Sequence, residues 1–150
     1  LLYLSRRTKL LVRVPRHRVE DAQQLTGRTL DIAGNALTVE QAVLKPLAAI
    51  TTLFSRYVVS AAGQDENAFL EAAVRELNAL GIRPKKMLCG IEHSIVTPAE
   101  VVRTRSLMIA ELTLEESMQL QQHGLGPSRH LGCGLFLPHK DIKEIRQVLE

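Results

Sequence analysis

At 150 residues, 45% of them apolar and 23% charged, the chain is long enough for one ordinary domain or two very small ones, and its composition is not that of a disordered protein. No apolar run approaches the roughly 20 residues of a membrane-spanning helix, and LLYLSRRTKL has its apolar stretch and charges in the wrong order for a secretory leader. The net charge of +3 is unevenly spread: Arg6, Arg7, Lys9, Arg13, Arg16 and Arg18 all precede the first acid, Glu20. A second group, Arg83, Lys85 and Lys86, stands before Arg103 and Arg105. Such clusters suit a polyanionic partner or, equally simply, a solvated surface. Cys89 and Cys133 lack CxxC or Cys/His ligand spacing, which argues against structural zinc and requires no oxidising compartment. The chain reads as cytoplasmic, with no membrane partner, metal or cofactor. Its start at Leu1 instead of Met predicts a chain already trimmed at its N-terminal side.

In chain order, residues 8–14 place Leu10, Val12 and Val14 on one face against Lys9 and Arg13, the pattern of a half-buried strand ending at Pro15. A short helix over 17–26 follows, with Gly27 as its cap. TLDIA and ALTV then flank Gly34-Asn35, a link suited to a type II′ hairpin, and a connector runs through Pro46.

From Thr51 the signals are stronger. TTLFSRYVVS is β-branched and aromatic; DENAFLEAAVRELNALG is a helix capped by Asp65, with an apolar stripe of Phe69, Leu70, Ala73, Val74, Leu77 and Leu80. Residues 87–97 and 101–112 read as strands around Pro98, the second carrying Arg103, Arg105, Leu107 and Ile109 on one face. Thr113 and Glu116 form a capping box for a helix closing at Gly124, and HLGCGLFLPH reads as a strand entered through glycines. The order β-α-β-β-α-β is the ferredoxin-like, RRM-like arrangement of an α+β protein. The expected organisation is therefore tandem: residues 1–46 as the C-terminal half of an incomplete first ferredoxin-like domain plus connector, and 47–150 as a second, complete one.

The most specific motif is GLGPSRHLGCG, residues 124–134, whose glycines fall at Gly124, Gly126, Gly132 and Gly134. Such a loop tolerates positive φ, and its amides are able to face phosphate oxygens, with Ser128, Arg129 and His130 adding contacts. A helix cap at Gly124 and a turn at Pro127 account for one or two of the glycines but not for two symmetric pairs. A nucleotide-binding GxGxxG is a poor fit, because here a helix precedes the glycines and a strand follows.

The pattern GhGxxxxxGhG, h being apolar, resembles the C-terminal glycine-rich loop of the repeat-associated RNA-binding superfamily of CRISPR systems. The wider run LTLEESMQLQQHGLGPSRHLGCGLFLP, with GRTLDIAGNALTV and ENAFLEAAVRELNALGI, resembles the CRISPR repeat-processing endoribonucleases of the MYXAN-type lineage. The resemblance covers about Thr8 to His139. It implies tandem ferredoxin-like domains that bind the repeat RNA hairpin and cut once at its base without a metal. In that chemistry the neighbouring 2′-hydroxyl attacks, leaving a 2′,3′-cyclic phosphate, and the enzyme stays with its guide RNA among other CRISPR-associated subunits. The family's usual catalytic histidine belongs to the first helix of the N-terminal domain, which this reading places ahead of Leu1, so no catalytic residue is assigned here.

Of His17, His93, His123, His130 and His139, the two at the glycine loop, His123 and His130, are the closest to expected RNA contacts. The RNA-binding set expected from loop and strands is Lys85, Lys86, Arg103, Arg105, Gly124, Gly126, Ser128, Arg129, His130, Gly132 and Gly134. Aromatics are only 3% with no Trp, so recognition leans on hairpin shape and phosphates more than on stacked bases. The competing expectations are a non-catalytic RNA-binding subunit of a CRISPR ribonucleoprotein, and a ferredoxin-like module for a small ligand.

Overall fold

The structure, a computed structural model, describes residues 9–139 and divides the chain into two compact units, Leu1–Pro46 and Leu47–Glu150. In the first unit, residues 9–14 have no regular structure despite their alternation. Alternation becomes a strand only where a second strand completes its ladder; none does so among the described residues, and Leu10 and Val12 are 60% and 55% exposed. Thr8, where that strand was expected to begin, lies outside the described residues. A 3₁₀ turn, Arg16–Arg18, leads into the single-turn helix α1, Val19–Gln23.

Strands β1 (Thr29–Ile32) and β2 (Asn35–Thr38) pair as a hairpin with Ile32 opposite Asn35. The two-residue link is therefore Ala33-Gly34, one position earlier than the expected Gly34-Asn35. Both residues have positive φ, 52° and 80°, the type I′ pattern and not type II′. Side chains on either side explain the shift. Asp31 Oδ1 accepts from the Gly34 amide at 2.7 Å, and Asn35 Nδ2 donates to the Ala33 carbonyl at 3.2 Å.

The second unit runs β3 (Leu53–Val59), α2 (Glu66–Ala79), β4 (Lys86–Val96), β5 (Val101–Ala110), α3 (Leu114–His123) and β6 (Leu137–Pro138). Its sheet has the order β4-β5-β3-β6, antiparallel at every pairing, so β5 sits between the two strands that α2 connects. This is the split βαβ of a ferredoxin-like α+β fold. The last strand is much shorter than expected, because a 3₁₀ turn at Arg129–Leu131 and the glycines occupy the chain ahead of it.

Local chemistry sets both helices. Asp65 Oδ1 accepts from the Ala68 amide at 2.8 Å, opening α2, whose Phe69, Ala73 and Leu77 recur every four residues and are buried. Thr113 and Glu116 form the reciprocal capping box of α3, at 3.1 and 2.8 Å. These helices bury Phe69, Leu77 and Leu120 against Leu53, Val58, Leu107, Ile109 and Phe136 of the sheet and its flank. Each such side chain contributes about 1.5–3 kcal/mol when removed from water.

The sheet carries two bulges at one level. β3 gains a residue between Ser55 and Val58, and β4 gains one between Cys89 and Glu92, both opposite the Leu107–Arg105 step of β5. Along β5 the buried positions change parity at this level: Val102 and Thr104 are buried beside an exposed Arg103, whereas beyond the bulges it is Leu107 and Ile109 that are buried, so the expected single face of Arg103, Arg105, Leu107 and Ile109 is not one buried stripe. Within this bulge a β-carbon at Gly90 would meet the Ser106 hydroxyl, so a side chain there requires Ser106 to turn away.

Candidate nucleic-acid interface

The two glycine pairs perform different tasks. The Leu125 amide donates to the Gly134 carbonyl at 3.0 Å, and the Gly134 amide donates to the Tyr57 carbonyl at 2.6 Å. A β-carbon on Gly124 would fall 2.6 Å from the Gly134 carbonyl oxygen, and one on Gly134 would overlap the Leu125 carbonyl. Gly124 and Gly134 thus let two backbone segments cross, with Leu125 2% and Cys133 0% exposed beside them. Gly126 and Gly132 face open space and supply only their positive φ, 72° and 83°.

This geometry corrects the expectation of an open phosphate nest. The amides of Gly124, Leu125, Leu131, Gly132, Cys133 and Gly134 all donate to carbonyls of the protein. The Gly126 amide is taken by a carboxylate of the chain itself, Glu76 Oε2 on α2, at 3.0 Å. What the loop offers to a ligand is mainly side chains: Arg129 and His130 are exposed, and Ser128 is half-buried in the left-handed region at φ 63°. Glu76, His123, Gly126 and Arg129 line a hollow of about 330 Å³. Glu76 was not singled out from sequence, since it reads there as one more solvated helix residue.

The strand cations are more committed than their spacing suggests. Arg105 Nη1 donates to the Gly90 carbonyl at 3.0 Å and Nη2 to the Gln64 carbonyl at 3.4 Å, while its buried Nε has no partner among the described residues. It closes the bulge from inside the unit and does not extend toward a ligand. Arg103 Nη1 meets Glu92 Oε1 across β4 and β5 at 3.0 Å, with both groups partly exposed. Lys86 lies 3.5 Å from Glu111 on the surface, and Lys85 is exposed. In the first unit Arg18 pairs with Asp21; Arg6 and Arg7 lie outside the described residues.

Arg103 and Ser128, 25 positions apart in sequence, come together at a second hollow of about 380 Å³ shared with Val59, Ser60, Glu100 and Val102. The Ser60 hydroxyl is buried and, among the described residues, has no hydrogen-bond partner. Nothing in the sequence marks Ser60, because only the tertiary fold brings the end of β3 to the glycine loop. His17, His93, His123, His130 and His139 are all exposed. Among the described residues, no three His, Cys, Asp or Glu side chains gather as a metal site, and no helix is long and apolar enough to cross a membrane.

The family model described as Cas6 Crispr matches residues 1–141, which takes in both units and the whole glycine loop. The chain belongs to the Cas6 family. It is also similar to a Myxococcus xanthus (strain DK1622) protein named CRISPR-associated endonuclease Cas6, 37% identical over 138 residues. That match takes in 92% of this chain and 59% of the relative, so the chain spans about three fifths of the length of the Cas6 protein it matches. In this Cas6 chain the crossing at Gly124 and Gly134 gives the glycine spacing a structural meaning, since it closes the loop on its own backbone.

Proposed function

We propose that this Cas6 chain is the RNA-holding part of an endoribonuclease that cleaves CRISPR repeat transcripts into guide RNA. The observation that carries the reading is the complete glycine loop inside a Cas6 match over residues 1–141, joined by the likeness to a relative named as an endonuclease. The repeat hairpin approaches the loop side chains Arg129 and His130 and the rim at Arg103 and Lys85. The cut needs no metal: the 2′-hydroxyl beside the scissile phosphate attacks, one group takes its proton, another protonates the leaving oxygen, and cations hold the phosphorane charge. The product guide stays bound, in the cytoplasm, with other CRISPR-associated subunits.

The test is incubation of the protein at its natural full length with its repeat RNA in EDTA. A single cut leaving a 2′,3′-cyclic phosphate is expected. Tight hairpin binding without cleavage would leave a non-catalytic RNA-binding subunit instead, and affinity that ignores salt would exclude phosphate contacts altogether.

A further inference from the structure

We infer that the hollow beside the glycine loop is a ribose pocket, in which the Ser60 hydroxyl bonds a 2′-hydroxyl of the bound RNA; this rests on the RNA-binding reading above. Ser60 is held in place by its own backbone, whose amide donates to the Arg103 carbonyl at 2.9 Å and extends the β3–β5 ladder by one bond. The residue is 7% exposed, yet among the described residues its hydroxyl has no partner. Buried hydroxyls are normally satisfied, because an unpaired one destabilises the fold. Ser60 lines the hollow, and its unpaired hydroxyl, enclosed just behind that wall, is accounted for by a ligand group that completes it.

Charge decides the ligand chemistry. Arg103 is already paired with Glu92, and Glu100 adds a further carboxylate to the lining, so one cation stands against two anions. A phosphate is disfavoured there, while a neutral hydroxyl, donor and acceptor at once, matches Ser60. Val59 and Val102 offer apolar contact to a sugar ring. The volume of about 380 Å³ is near the small end of ligand pockets, roughly 300–1,000 Å³, and suits one sugar, not a helix. The 2′-hydroxyl is also the group that separates RNA from DNA.

The experiment uses the full-length protein and a repeat hairpin with 2′-deoxy substitutions introduced one nucleotide at a time. Binding is read and not cleavage, because deoxy substitution at the cut site blocks the reaction by chemistry alone. One substitution is expected to weaken parental binding about two- to tenfold, the worth of one neutral hydrogen bond. Ser60→Ala should bind unmodified RNA weaker by the same factor, lose sensitivity at that one nucleotide, and melt at the parental temperature or above. A Ser60→Ala profile identical to the parent's at every nucleotide overturns the pocket, as does a lowered melting temperature, which would make the hydroxyl structural. Free ribonucleoside monophosphates provide the second arm: binding of these that depends on Ser60, without any deoxy-sensitive position in the hairpin, would assign the hollow to a free nucleotide and overturn the RNA assignment. Failure of the parent to bind any hairpin would overturn the RNA reading itself, and the pocket with it.

Discussion

The Leu125 amide and the Gly134 carbonyl meet at 3.0 Å, so the chain leaving α3 and the chain entering β6 are joined backbone to backbone. The eleven-residue loop between Gly124 and Gly134 is thereby closed at its base, and only its tip is free to meet a ligand. The same crossing fixes Ser128 and Pro127 over the ends of β3 and β5, where the hollow with Ser60 and Arg103 forms.

The inner and outer glycines should therefore differ under substitution. At Gly134, alanine meets the fixed Leu125 carbonyl and also a positive φ of 67°. Overpacking and left-handed strain together cost about 3 kcal/mol. At Gly132 the space is open, leaving only the conformational cost of about 1 kcal/mol. Urea unfolding of Gly134→Ala and Gly132→Ala measures the contrast, and equal losses would show that the crossing does not hold the loop.

The two strand arginines should separate stability from binding. Arg105→Ala leaves the Gly90 and Gln64 carbonyls without their donor, and is expected to cost about 1–3 kcal/mol in urea unfolding. Arg103→Ala removes a partly exposed ion pair worth about 1 kcal/mol or less, and should instead weaken RNA binding while leaving the urea midpoint nearly unchanged. Arg105→Ala matching the parent in stability would place its guanidinium outside the fold.

Much of the second unit was legible because its signals are local. Asp65, Thr113 and Glu116 cap helices by contacts three residues away, and Phe69, Ala73 and Leu77 repeat at helical spacing. The strand read over residues 8–14 failed for the opposite reason: alternation shows what a strand would bury, not whether a neighbour exists to pair with it. The hairpin at Ala33-Gly34 was displaced by one residue because an Ala with positive φ is rare, and Asp31 and Asn35 had to be seen bonding around it. At the site, the glycine spacing was visible, but the destination of each amide was not. Glu76 reaches Gly126 from fifty residues away, and Ser60 meets Ser128 only through the sheet.

Acid stability should depend on Glu116. The Thr113 amide, and then the Arg83 amide at 3.3 Å, donate to its carboxylate and hold it below its ordinary value of 4.5, with Lys85 assisting. A lowered folded value means that the stabilisation is complete above about 4.5 and is lost as pH falls through the depressed folded value. Urea midpoints measured from pH 6 to about 3 should fall less steeply for Glu116→Gln than for the parent. Parallel curves would remove Glu116 from the acid transition. Thr113→Ala, which deletes the other half of the box, should cost about 1 kcal/mol at neutral pH.

The two cysteines give an internal probe of the core. Burial is the first cause that raises both thiols above their ordinary value of 9.0; at Cys89 the Glu66 carboxylate adds to it, while Arg105 opposes. Because the thiolate is the reactive form, both residues should resist a thiol reagent at neutral pH in the native protein and react together on unfolding. The raised folded values also mean that the unfolded chain releases thiol protons first, so this contribution to stability is present below about pH 9 and is lost as pH rises through the folded values. Labelling followed by mass spectrometry across a urea series checks the first expectation. Cys133 lies beside the backbone crossing at 0% exposure, so its modification ahead of Cys89 would show that the glycine loop opens before the sheet does. Simultaneous labelling would instead make loop and sheet one cooperative unit, which is what the bonds from Leu125 to Gly134 and from Gly134 to Tyr57 lead us to expect.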